Sequence, residues 1–317
     1  MTREYTPGTL APMQTHGFVY FNGAIVPADQ AAISPYDVGL LRGYAVFDLL
    51  QTIGGVPFQF TEHITRFRAS ATMLGLEVPA TDDEIAKITV ELLRLNECTE
   101  ATVRYVLTGG ESPDGMHFDP STPTFLIITH NIFKVPAQYY ATGAKLITHE
   151  YRRELPEAKT TNYLTWLRNH HKLDEAGAID VLYHADGFIS EAATASFYVV
   201  RNGRIYAPGE GVLHGTVGEL VLGGLLAPEH ALRREPVGEE RGRVGDGHAL
   251  LLEEAGEGAQ QVVVRADRHP GEDLEPGDVE HRVGEEALLG DRPEHHRLRR
   301  APGLERLDLA LADAVAA

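Results

Sequence analysis

The sequence predicts an α+β protein in two parts, and three observations carry that expectation. Short runs of strand character recur from Phe18 to Tyr206, helical patterns are segregated from them, and hairpin signals stand at Asn22-Gly23 and Asn202-Gly203. The chain's 317 residues exceed what one core commonly holds, so two domains are expected.

Residues 1–16 carry prolines and glycines without periodicity and read as a flexible leader. Phe18 to Val26 reads as two strands joined at Asn22-Gly23. Ser34-Pro35-Tyr36-Asp37 is a turn, and Leu40 to Ile53 is a helical turn or a buried strand before Gly54-Gly55. Thr61 to Leu74 forms a helix, because Ile64, Phe67, Ala71 and Leu74 share one face and Gly75 follows. Thr81 to Asn96 forms another, opened by the capping box Thr81-Asp82-Asp83-Glu84. Strands over 101–108 and 124–129 complete a small α/β domain spanning 17–132.

Residues 133–143, with Pro136 inside, are the expected interdomain linker, and 144–317 form the second domain. A strand over 144–151 precedes a helix over 161–176. Thr161 is its expected N-cap, Tyr163, Leu164, Leu167, His171 and Leu173 recur at helical spacing, and Gly177 stops it. Asp180 to Tyr183 is a strand, Asp186-Gly187 a turn, and Ser196 to Val200 a strand that returns through Asn202-Gly203 to Arg204, Ile205 and Tyr206.

Composition narrows the function classes. A formal charge of -18 speaks against nucleic-acid or membrane-surface partners, which need basic patches. One cysteine, Cys98, excludes an intrachain disulfide framework and fits a reducing compartment. No basic-then-apolar leader appears, and no uncharged apolar run approaches the ~20 residues of a membrane helix. A soluble cytoplasmic protein is expected.

Residues 217–317 break the pattern. Only Val, Gly, Glu, Leu, Ala, Pro, His, Arg, Asp and Gln occur there, while Ser, Thr, Asn, Lys, Ile, Phe, Tyr, Trp, Met and Cys vanish together. In the standard code the missing set is unreachable from a codon beginning with G or C. That is the signature of a GC-rich gene read with its wobble base in first position. The region is expected to be a wrong-frame or wrong-strand translation, without the apolar periodicity that strands and helices need. An inactive or misfolded product is therefore a reading of a different class, as a natural low-complexity tail is for the segment itself.

Two segments carry chemistry. Lys159, in Glu154-Leu-Pro-Glu-Ala-Lys-Thr-Thr-Asn-Tyr-Leu164, lies between a strand and a helix start. There the positive end of the dipole disfavours an ammonium, so the amine is easier to deprotonate, as Schiff-base chemistry requires. On position alone, a solvated surface lysine is the commoner outcome. Glu191, in Gly187-Phe-Ile-Ser-Glu-Ala-Ala-Thr194, stands among small apolar residues, where a carboxylate needs a partner to offset its desolvation. No HExxH, P-loop, G-x-S-x-G or cysteine pair offers other chemistry, and His170 and His171 face apart on a helix.

The two segments together, in their order along the chain, resemble the signature of the class IV (fold type IV) pyridoxal-phosphate aminotransferases over about Gly17 to Thr216. That family includes branched-chain aminotransferases, D-amino-acid transaminases and aminodeoxychorismate lyase. The resemblance implies pyridoxal 5'-phosphate as cofactor and a two-domain fold, small α/β plus a larger barrel-like α+β domain. Lys159 would hold the cofactor and move the substrate proton, Glu191 would pair with the pyridine nitrogen, and Tyr163 would bond the phenolic oxygen. Arg66, in His63-Ile-Thr-Arg-Phe67, would reach the phosphate; from spacing alone it is a solvated helix arginine.

The family's glycine-isoleucine-threonine phosphate turn corresponds to Val212-Leu-His-Gly-Thr216, making Gly215 and Thr216 candidate ligands although the isoleucine is absent. A later phosphate-binding Ser or Thr has no counterpart. Leu41-Arg-Gly-Tyr-Ala-Val-Phe-Asp48 and Val103-Arg-Tyr-Val-Leu-Thr-Gly-Gly110 resemble the D-amino-acid subgroup, so Arg42 and Arg104 are candidates for gripping a substrate carboxylate. A structural role for either arginine is the alternative. The expected reaction is transamination between a D-amino acid and a 2-oxo acid such as 2-oxoglutarate, with branched-chain L-amino acids next and a lyase on aminodeoxychorismate third. A homodimer is implied, the loops near Arg42 completing a neighbouring site.

Overall fold

The computed structural model describes residues 17–132, 139, 143–201, 204–216, 249–251 and 261–265. Strands β1 (Phe18–Phe21) and β2 (Ala24–Pro27) form the expected hairpin, with Asn22 at φ 45° and Gly23 at φ 99° supplying the positive torsions of its tight turn. The stretch from Leu40 to Ile53 holds both elements the sequence allowed. Helix α1 (Val38–Arg42) ends at Gly43 in the left-handed region, and strand β3 (Ala45–Ile53) follows.

Buried Asp37 explains why α1 starts where it does. One carboxylate oxygen accepts the Gly39 N–H at 2.7 Å, and the other accepts the hydroxyls of Thr108 and Thr124 at 2.8 and 2.6 Å. Strand β4 (Val56–Pro57) leads into α2 (Phe60–Met73) and α3 (Asp82–Leu95), the latter opened by the Thr81–Glu84 capping box. Strands β5 (Thr102–Thr108) and β6 (Thr124–His130) complete a six-stranded sheet of order β2-β1-β6-β5-β3-β4. Ile64, Phe67 and Ala71 of α2 bury the predicted face against Val103, Tyr105, Leu107, Phe125 and Ile127.

Farther along, β7 (Leu146–Glu150) pairs in parallel with β8 (Asp180–Ala185), and the connection between them contains α4 (Leu164–Ala176). Strand β9 (Phe188–Ala192) pairs antiparallel with β8 after the Asp186-Gly187 turn. Glu191 thus lies within a strand rather than ahead of one. Strands β10 (Ser196–Arg201) and β11 (Arg204–Tyr206) pair antiparallel and belong to a further, four-stranded sheet.

Three expectations need correction. Helix α4 begins at Leu164 with Tyr163 as its N-cap, not at Thr161. Val46 and Thr160 form an antiparallel bridge, and the Thr161 N–H donates to the Ala45 carbonyl at 3.1 Å, so 159–161 are held extended and cannot enter a helix. Of the predicted apolar positions Leu173 is buried, but Leu164 and Leu167 are 63% and 62% exposed and Asn169 is buried, so the apolar spacing marked the buried face only in part. Within the tail, β12 (Ala249–Leu251) and β13 (Gln261–Arg265) form strands the composition gave no reason to expect, and β13 runs parallel to β10. The run Val262-Val263-Val264 is the available signal, since β-branched side chains favour strands. Asn202-Gly203, the leader, most of 133–143 and the rest of the tail lie outside the described residues.

Candidate active site

Lys159 is placed by the first sheet. Its carbonyl accepts the Phe47 N–H of β3 at 2.9 Å, its own N–H donates to the Ser70 hydroxyl of α2 at 3.0 Å, and neighbouring Ala158 is buried in the main core. Its amino group lies 4.8 Å from the centroid of the Phe47 ring. The residue is half-buried overall, yet its amino end loses most of its hydration. Burial first, then the Arg66 guanidinium and that of Arg153, lower its pKa from 10.5 to about 8. This corrects the cause given by sequence: with α4 beginning five positions later, desolvation and two guanidiniums act on Lys159, not a helix dipole acting alone.

Around Phe47 the other candidates gather. Tyr163 packs on its ring at 5.9 Å between centroids, and the Arg104 guanidinium lies over it at 5.2 Å. Burial lowers the Arg104 pKa and raises that of Tyr163. Arg104 Nε is buried and, among the described residues, has no hydrogen-bond partner.

Glu191 is 6% exposed, and burial raises its pKa against the opposing charge of Arg153. Oε2 accepts the Leu213 N–H at 3.2 Å. Oε1 lies 2.7 Å from Arg153 Nε, but the N–H points off the line to the oxygen; the contact is an ion pair, and both atoms are left without a hydrogen bond among the described residues.

A second network ties α2 to the 212–216 turn. Asp48, fully buried on β3, accepts from Arg66 at 2.7 and 2.8 Å and lies 2.8 Å from His63 Nδ1. Burial alone would raise the Asp48 pKa; the bonds from Arg66 and His63 outweigh it and hold it at about 2. Arg66 Nη1 donates to the His214 carbonyl at 3.3 Å, and His63 Nε2 lies 3.2 Å from the Thr216 hydroxyl. Gly215 sits between these two attachments, so Arg66, Gly215 and Thr216 converge on one place.

The structure therefore brings Lys159, Tyr163, Glu191, Arg66 and Arg104 together with Gly215 and Thr216. Arg42 lies elsewhere: it is exposed, with Nε 3.4 Å from Met116 Sδ and Nη1 donating to the Leu41 carbonyl at 3.1 Å. Sequence reasoning missed Phe47, Asp48, His63 and Arg153. His63 had a signal, since it precedes Arg66 by one helical turn on a face that bears Phe67.

A half-buried lysine with a desolvated amine, a buried acid and a guanidinium at a glycine-threonine turn form an arrangement that suits a phosphate-bearing carbonyl cofactor. The branched-chain aminotransferase of Thermoproteus uzoniensis, solved with norvaline, shares the fold with a TM-score of 0.65 at 19% identity, covering 95% of each chain. A putative branched-chain-amino-acid aminotransferase of Methanocaldococcus jannaschii is 31% identical over 64% of this chain and 73% of its own. The D-alanine aminotransferase of Bacillus licheniformis is 26% identical over 59% of this chain and 67% of its own. Residues 45–224 match the family model for amino-transferase class IV, and the chain belongs to that family. Its enzymes work with pyridoxal 5'-phosphate.

Proposed function

We propose that this chain catalyses transamination between an amino acid and a 2-oxo acid, with Lys159 as the catalytic residue. The observation that carries the reading is the Lys159 amine, its pKa lowered to about 8, set among Phe47, Arg66, Arg153 and Glu191. The site fits pyridoxal phosphate on its own features. The orphan Glu191 Oε1 suits a protonated ring nitrogen, Tyr163 offers a phenol, and Arg66, Gly215 and Thr216 offer cationic, backbone and hydroxyl groups to a phosphate. When bound, the cofactor supplies an aldehyde that a lysine amine can hold and a ring that withdraws electrons from the substrate α-carbon.

The side chains divide the remaining work. Neutral Lys159 would hold the cofactor through Nζ, and its amine, when not so engaged, would take the substrate α-proton and give it back. Glu191 keeps a negative charge at the ring nitrogen. Arg104, whose Nε has no hydrogen-bond partner among the described residues, receives the substrate carboxylate, and Arg42 does so from the neighbouring copy of a homodimer. Absorbance of the purified, cofactor-loaded protein tests the core of this: a protonated imine band present in the parent is lost in Lys159→Ala, and an unchanged spectrum refutes the assignment.

For the substrate we infer a D-amino acid with 2-oxoglutarate as acceptor, supported by the Arg42 and Arg104 motifs and the D-alanine aminotransferase relatives. Branched-chain L-amino acids are the second reading, favoured by the 31% identical relative. Steady-state turnover of D-alanine against L-leucine separates them, and a large preference for L-leucine overturns the first.

A further inference from the structure

Arg153 follows β7 and reaches three backbone segments at once. Its Nη2 donates to the Ala193 carbonyl beyond β9 at 2.7 Å, and its Nε lies 2.7 Å from Glu191 Oε1. Its guanidinium stands 5.6 Å from the ring centroids of both Tyr163, ahead of α4, and Tyr183 of β8. Its side chain is 16% exposed and that of Glu191 8%, so each removes much of the other's desolvation cost. Arg153 supplies a positive charge to the carboxylate at 2.7 Å, and Oε1, with two lone pairs, keeps acceptor capacity for a further donor.

We propose that Arg153 is a positioning residue, acting through Glu191 and Tyr163: it keeps the Glu191 carboxylate ionised, with a lone pair still available to the cofactor ring, and it fixes the Tyr163 ring beside that site. This rests on the reading that Glu191 and Tyr163 serve the cofactor. Without a cation at 2.7 Å, a carboxylate this buried takes up a proton, and a protonated Glu191 could not hold charge against a ring nitrogen. The other groups facing it are the Leu213 N–H and Lys159, and Lys159 is neutral whenever it acts as base.

The test uses Arg153→Met and Arg153→Lys. In cofactor-free protein, the Glu191 carboxyl is titrated by carbon NMR, with Glu191→Gln assigning its signal. Arg153→Met is expected to move that titration upward by a unit or more, and Arg153→Lys to leave it near the parent's. In loaded enzyme, kcat should fall roughly a hundredfold in Arg153→Met with KM changed less than threefold, and recover part of the loss in Arg153→Lys. An unmoved Glu191 titration in Arg153→Met overturns the proposal. Should that variant not fold, a Glu191 titration in Arg153→Lys raised by a unit or more overturns it, because the retained charge would then be shown not to matter. Failure of the underlying reading has its own mark: Glu191→Gln would turn over like the parent.

Discussion

Replacing Asp48 by Asn should destabilise the protein by about 2–4 kcal/mol at neutral pH. The carboxylate is wholly buried and takes two bonds from Arg66 and one contact from His63. Its pKa falls from 3.8 to about 2, nearly two units, and at about 1.36 kcal/mol per unit this is ~2.5 kcal/mol. Breaking a buried pair by removing one partner costs about 3–5 kcal/mol, discounted here because the Arg66 side chain keeps 15% exposure to water. The sign is that of a depressed acid. The stabilisation is fully present above the unfolded value near 3.8 and is lost as pH falls through 2. Urea unfolding of the parent and Asp48→Asn at pH 7, 4 and 2.5 measures both parts. A difference under 1 kcal/mol at pH 7, or one that does not shrink toward pH 2.5, refutes the reasoning. Cofactor affinity should weaken in the same variant, since Arg66 loses the group that aims it at the His214 carbonyl.

Capture of an aldehyde by Lys159 should rise about tenfold per pH unit up to about 8 and then level, because only the neutral amine reacts and burial disfavours its protonation. Rates of cofactor loading into cofactor-free protein between pH 6 and 10 check this, and a midpoint near 10 contradicts it. Gly110→Ala should cost ~2 kcal/mol or more: Gly110 has φ +77°, its added Cβ would run into the Thr122 carbonyl oxygen, and its own carbonyl holds the Val38 N–H that opens α1. The melting temperature should drop by roughly 4–8 °C, and a change under one degree would show that the loop yields freely.

Where pattern and backbone demand coincide, the sequence was legible. The α2 face, the Thr81–Glu84 box, the Asn22-Gly23 hairpin and strands β5 and β6 depend on local periodicity or local turns, and they stand where periodicity puts them. Thr161 failed as a cap because a partner 116 positions earlier, Ala45 on the Ala45–Phe47 edge of β3, claims the backbone first, and no local rule registers so distant a competitor. Arg153 and Phe47 were illegible for a related reason. One looks like a charged loop residue and the other like a core aromatic, and only the assembled sheets reveal that each touches Tyr163. The tail's restricted composition was silent about pairing, so β12 and β13 escaped it.

The bridge between Val46 and Thr160 has a consequence for how this chain is made. As the ribosome releases the first 132 residues, β3 has β5 on one side, while its other edge at Ala45–Phe47 presents bare amide and carbonyl groups until the segment around Lys159 emerges. An unpaired apolar edge is a template for another nascent chain. The segment that bears the reactive amine is therefore also the stopper on that edge, and a fragment ending before it should aggregate through strand pairing at an edge that the longer chain keeps covered.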